Sequence, residues 1–273
     1  MSSIFTGLQS IDTIAIGNFD GLHLGHQQLL GRLGPKGAVA VIEHGRACLS
    51  PGYFRSRYCP YPMVFYDLHK IKHLTPDDFI HRLQNDFPSL QRVVIGYDFV
   101  FGHKQSGDKA LLERYFEVVQ IPQYRYEGIA VHSKKIKQLL QSDLKMANTL
   151  LGRDYVIEGR HVKGQGIGAK ELVATLNLQT NFCLPKEGVY LTRTKIGGIW
   201  HDSISFVGHR KSTDRRFAVE SHLLDTKVVP KQSYIEMAFV SFMRQNRRFE
   251  TLGALKAQID NDIELARKEH GKR

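Results

Sequence analysis

Over the first 150 positions, apolar residues come in short continuous runs separated by stretches of helical spacing. Thr13 to Ile16, Ala38 to Ile42 and Arg92 to Gly96 read as buried strands, with Glu117 to Ile121 and Ile129 to His132 as shorter ones. Helical spacing begins at Gly25, and again behind Thr75-Pro-Asp-Asp, which offers a cap, a first-turn proline and acids at the positive end. A further helix runs to about Phe116. Ser133 and Ser142 read as caps of helices that carry Ile136, Leu139, Leu140, Leu144 and Leu150 inward. The segment 47–72, with Pro51, Pro60 and Pro62, is predicted to be mostly irregular. Strands alternating with helices predict a parallel, doubly wound sheet, which binds ligands beyond the carboxyl ends of its strands. The loops at 17–25, 96–108 and 131–137 each follow a strand and are expected to meet at that edge.

The rhythm changes at Gly152. From Tyr155 to Arg244 the chain alternates apolar and polar positions, and Gly197-Gly198 between two such runs is a hairpin signal. Consecutive hairpins predict a small antiparallel β-barrel. The tail from Thr251 to Lys268 is predicted helical, with Leu252, Leu255, Ile259 and Ile263 on one face. The expected division is therefore an α/β domain over 1–152 and a β domain with a terminal helix over 153–273.

Composition narrows the classes. No apolar run approaches the roughly 20 residues that span a bilayer, and the first residues lack the charged start and apolar core of a signal peptide. These features predict a cytoplasmic protein without membrane partners. Cys48, Cys59 and Cys183 show no Cys-x-x-Cys spacing, so no zinc site is expected and the thiols are predicted to be reduced. The net charge of +11 suits either a nucleic-acid binder or an enzyme of phosphorylated ligands. Its basic residues are scattered, with small clusters at 210–216 and 247–248 and no stripe interleaved with aromatics. Nucleic acid is therefore not an expected partner.

The densest chemistry lies in Gly17-Asn-Phe-Asp-Gly-Leu-His-Leu-Gly-His26, directly after the first strand. Strand, glycine turn and helix start expose backbone N–H groups to an anion. His23 and His26, with Gly25 between them, add two imidazoles in the His-x-Gly-His spacing of nucleotidyltransferases. Asp20 has two readings, a phosphate-facing residue or an Asx-turn residue.

That string, together with Val94-Ile-Gly-Tyr-Asp-Phe-Val-Phe-Gly102, Leu150-Leu-Gly-Arg-Asp-Tyr-Val-Ile-Glu-Gly159 and Val219-Glu-Ser-His-Leu-Leu-Asp225, resembles the prokaryotic bifunctional riboflavin kinase/FMN adenylyltransferases. The resemblance covers nearly the whole chain. It implies a Rossmann-like adenylyltransferase domain and a six-stranded kinase barrel, with riboflavin, FMN, FAD and ATP as partners and Mg²⁺ as cofactor. In the first domain it implies ATP binding by Gly17, Asn18, Phe19, Asp20, Gly25, Ser133, Lys134 and Lys137. His23 and His26 would be catalytic, and Asp98 would lie by the flavin. In the second it implies a catalytic base at Glu220, Mg²⁺ ligands at Thr175 and Asn177, and an ATP flap carrying Gly164, Gly166 and Gly168. The sequence departs from the family in three places. Ile42-Glu-His-Gly45 stands for Phe-x-Pro-His-Pro, and Lys134 and Lys137 replace threonine and arginine. Leu172-Val-Ala-Thr-Leu-Asn177 stands for Gly-Phe-Pro-Thr-Ala-Asn. The last change leaves open an alternative, an adenylyltransferase whose barrel has lost kinase activity.

Overall fold

The computed structural model of the chain describes residues 8–162, 173–224, 226 and 233–272. Two compact units divide it, residues 1–135 and 136–273.

In the first unit, β1 (Thr13–Gly17), β2 (Gly37–Glu43), β3 (Met63–Asp67), β4 (Arg92–Gly96) and β5 (Glu117–Ile121) form one parallel sheet in the order β3-β2-β1-β4-β5. Such strands are buried on both faces, which is why they read as continuous apolar runs. Ile14, Ile16, Ala38, Ala40, Val93 and Ile95 face α3 (Pro76–Asp86) through Ile80, Leu83 and Phe87. Ala15, Val39, Val41 and Val94 face Leu29 and Leu30 of α1 (Leu24–Leu30), and Phe19 and Leu22 of the preceding loop. Thr75 and Asp78 close a reciprocal capping box on α3, as the sequence predicts.

Three expectations change. The proline-rich segment contains β3 and the short α2 (Leu68–Ile71), because Pro60 and Pro62 end just before Met63 and leave the strand free to pair. The helix read to Phe116 is the single turn α4 (Lys109–Leu112). The run at 129–132 gives only β7 (Ile129–Ala130), which pairs with β6 (Arg125–Tyr126) in a separate hairpin outside the main sheet.

α5 (Ser133–Leu140) leads to α6 (Leu144–Leu151), whose N-cap is Asp143 rather than Ser142. Asn148 of α6 donates to the carbonyl of Phe239 at 2.9 Å and accepts from the Tyr155 N–H at 2.9 Å, which ties that helix to the strands of the second unit, to which it belongs. There β8 (Tyr155–Val162), β9 (Leu176–Gln179), β10 (Gly188–Ile196), β11 (Ile199–His209), β12 (Phe217–Leu223) and β13 (Tyr234–Gln245) close a barrel in the order β10-β11-β12-β9-β8-β13. Gly197 and Gly198 turn the β10–β11 hairpin with φ of +58° and +88°, values that favour glycine.

α7 (Leu252–His270) starts at a Thr251 cap and seats Ile263 and Ala266 on Val189, Leu191, Ile204 and Val240. Ile259 is partly buried against them, whereas Leu252 is exposed. The helix is pinned by Arg244, whose Nε lies 2.9 Å from both oxygens of the buried Asp262. Asp262→Ala should destabilise the chain by about 3 kcal/mol, because it strands the arginine. Urea denaturation measures this, and an unchanged midpoint contradicts it.

Of the three thiols predicted to be reduced, Cys59 is free and partly buried.

Candidate functional site

At the carboxyl ends of β1 and β4, where the strand order reverses, lies a cavity of about 400 Å³. Gly17, Asn18, Phe19, His23, Gly25 and His26 line it together with Asp98 and Ser133 from the two later loops. The three loops expected at the sheet edge thus converge.

The turn that builds it is backbone-driven. Phe19, Gly21 and Leu22 have φ of 56°, 88° and 42°, and the buried Phe19 ring covers Gly17. His23 caps α1, its Nδ1 accepting from the His26 N–H at 3.3 Å, so its own proton sits on Nε2. The two imidazoles stack with centroids 3.6 Å apart and planes 17° apart. A methyl group on Gly25 would meet the Val131 carbonyl at 3.0 Å and the His23 ring at 3.2 Å. Gly25→Ala should therefore cost roughly 1–3 kcal/mol and slow the reaction of this cavity. Thermal unfolding and a product assay check it.

Asp20 corrects an expectation. It is buried, and its carboxylate accepts from the N–H groups of Cys48 (3.2 Å), Leu49 (2.9 Å) and Ser50 (2.9 Å). It does not line the cavity, so its role is to fold the 48–50 loop against the glycine turn. Ser133 is held to the same turn, its hydroxyl donating to the Asp20 carbonyl at 2.8 Å. Lys134 is exposed beside it, and Lys137 lies half-buried one turn further along α5.

Two neighbours complete the surroundings: His44 belongs to the Ile42–Gly45 segment that departs from the family pattern, and Arg55 carries no signal in the sequence. His44 lines the cavity, and its Nδ1 lies 3.2 Å from Asn18 Nδ2, which also donates to the Ile42 carbonyl at 3.0 Å. Behind it, the fully buried Arg55 pairs with Glu43 at 2.6 Å.

Burial, then the charges of His23 and Arg55, hold His26 well below its ordinary imidazole value, and burial also lowers His44. Both rings are neutral near pH 7. An unfolded imidazole takes up its proton as pH falls through about 6.5, whereas the folded His26 refuses it. This contribution to stability is therefore present above that pH and is lost as pH falls toward the depressed folded value. An NMR titration should find no His26 inflection near pH 6.5.

The second unit has its own cavity, of about 170 Å³, lined among others by Thr175, Arg210, Glu220, His222, Arg247 and Phe249. Thr175 stands just before β9, and Glu220 pairs in register with Asn177 across β12 and β9. Arg210, from a cluster that reads as mere local charge, joins them. Its Nη2 donates to Glu220 Oε1 at 2.8 Å and Asn177 Oδ1 at 2.9 Å, and its Nη1 to Asp214 Oδ2 at 3.1 Å. His222 donates from Nδ1 to the Ala174 carbonyl at 2.8 Å, a structural bond. Gly164, Gly166 and Gly168 lie outside the described residues.

Among the described residues no group of three or more His, Cys, Asp or Glu side chains could hold a metal ion. Thr175 and Asn177 nevertheless offer hard oxygen donors beside a carboxylate. That set suits Mg²⁺ when substrate phosphates supply the remaining ligands.

Comparison with known proteins agrees with both halves. Residues 63–139 match the FAD synthetase family model, and residues 151–270 match that of riboflavin kinase. Bifunctional riboflavin kinase/FMN adenylyltransferases from Buchnera aphidicola and Escherichia coli are 29% and 28% identical to the chain. The alignments cover 96% and 94% of this chain, and 94% and 92% of the respective relatives. The Pseudomonas fluorescens counterpart is 28% identical over 92% of this chain and 91% of its own. A solved structure titled as a macrolide-efflux protein from Streptococcus pneumoniae superposes with a TM-score of 0.82 at 20% identity, covering 94% of each chain. That likeness concerns the fold alone, and among the described residues no helix is long and apolar enough to cross a membrane. One family model thus matches within each half, and over nearly its whole length the chain is similar to bifunctional riboflavin kinase/FMN adenylyltransferases.

Proposed function

We propose that this chain is a cytoplasmic enzyme that phosphorylates riboflavin to FMN with ATP and then adenylylates FMN to FAD, releasing pyrophosphate. The observation that carries the reading is the pair of separate cavities, each lined by side chains suited to one of the two transfers. Domain 1–152 performs the adenylylation and domain 153–273 the phosphorylation.

In the adenylyltransferase site an FMN phosphate oxygen attacks the α-phosphorus of ATP, and the bond to pyrophosphate breaks. Nucleotidyl transfer needs positioning and charge stabilisation rather than a protein nucleophile. The glycine turn at Gly17, Asn18 and Phe19, with Gly25, lets phosphates approach the backbone. His23, whose proton sits on Nε2, and His26 donate hydrogen bonds as negative charge builds. Ser133, Lys134 and Lys137 take the β- and γ-phosphates, and Asp98 lies at the flavin side.

In the kinase site Glu220 accepts the proton of the riboflavin 5′-hydroxyl as that oxygen attacks the γ-phosphorus, and the bond from that phosphorus to the ADP oxygen breaks. Thr175 and Asn177 would hold Mg²⁺, which offsets phosphate charge when bound. Arg210, bonded to Asn177 Oδ1 and Glu220 Oε1, brings positive charge to the same residues.

Chromatography of products from riboflavin and from FMN, each with ATP and Mg²⁺, tests the proposal. Both FMN and FAD are expected from riboflavin. FAD from supplied FMN with no FMN from riboflavin would instead favour the adenylyltransferase-only reading.

A further inference from the structure

Arg55 is fully buried; its Nη1 pairs with Glu43 and its guanidinium lies 6.0 Å from the Phe65 ring, while among the described residues Nε and Nη2 have no hydrogen-bond partner. A buried guanidinium with orphaned donors is costly and needs an explanation. His26 Nδ1 is likewise buried without a hydrogen-bond partner among the described residues. Strand alternation brings these groups to the same side. Glu43 continues the β2 face of Val39 and Val41, the face on which Phe19 and α1 pack. Ile42 and His44, its two neighbours, line the cavity. The ion pair with Glu43 thus anchors the cation to the residue next to His44 at the cavity, and the arginine's charge disfavours protonation of His26 and His44.

Resting on the adenylyltransferase reading of this cavity, we propose that Arg55 is a positioning residue for the polyphosphate of the nucleotide. Its buried charge makes the His26–His44 wall attractive to phosphate, while Glu43 tempers that charge in the free protein. The alternative is that Arg55 merely neutralises Glu43.

Calorimetric titration of the full chain with inorganic pyrophosphate, without flavin, separates the two, with thermal unfolding recorded alongside. Arg55→Met should lose about tenfold in pyrophosphate affinity and unfold at lower temperature, because Glu43 is left unpaired. The double variant E43Q/R55M should regain thermal stability without regaining affinity. Glu43→Gln alone, which keeps the arginine and removes its counter-ion, should tighten binding about threefold or more. Arg55→Lys should restore part of the affinity lost in Arg55→Met. Wild-type affinity in the double variant, or unchanged or weaker binding in Glu43→Gln, overturns the proposal; the single variant decides if the double one does not fold. His26→Ala is the control for the cavity itself. If it leaves pyrophosphate binding untouched, the site reading fails independently of Arg55.

Discussion

Replacing His26 by alanine should slow conversion of FMN to FAD by about 10²–10³-fold, the usual loss when one donor to developing charge is removed. FMN formation from riboflavin should continue at its normal rate. The asymmetry follows from geometry. His26 stacks on His23 at 3.6 Å beside the glycine turn, in a cavity lined wholly by residues 16–133. Alanine keeps the helix and removes both the donor and the ring that packs on Phe19 at 5.1 Å. Some thermal stability should go with it, so the comparison uses folded protein. Retention of both activities, or equal loss of both in a folded variant, contradicts the assignment.

Glu220→Gln should do the reverse, lowering phosphorylation of riboflavin by about 10²–10⁴-fold and sparing adenylylation of supplied FMN. Glutamine keeps the shape but cannot accept the hydroxyl proton. It also weakens the bond from Arg210, which holds Glu220 Oε1 at 2.8 Å and Asn177 Oδ1 at 2.9 Å. Glu220→Asp keeps the charge and shortens the reach by one methylene, so it should fall between wild type and glutamine. A steady-state kinase assay on the three proteins checks the order.

The parts legible in the sequence are those governed by local chemistry. The glycine turn and its two histidines stand out because their spacing is tied to a strand end and a helix start. The parallel sheet is legible because its strands, buried on both faces, are unbroken apolar runs. Less legible were features assembled by long-range pairing. β3 hides behind Pro60 and Pro62, and the order of the barrel strands follows from a register that alternation cannot reveal. Asp20 shows the limit at one residue. It stands inside the phosphate-binding string, and only the structure shows its carboxylate spent on backbone 28 to 30 positions away. Arg55 sits in a short 3-10 helix, Gly52–Tyr58, and Arg210 in the loop after β11, and nothing in local spacing says which acid either will meet.

The most direct test follows the label from ATP. With riboflavin as acceptor, γ-phosphate label should appear in FMN and persist in FAD, whereas α-phosphate label should appear in FAD alone. Two cavities performing two different transfers predict that split. Label from the α-phosphate entering FMN, or γ-label entering neither flavin while unlabelled FMN is still adenylylated, would contradict it.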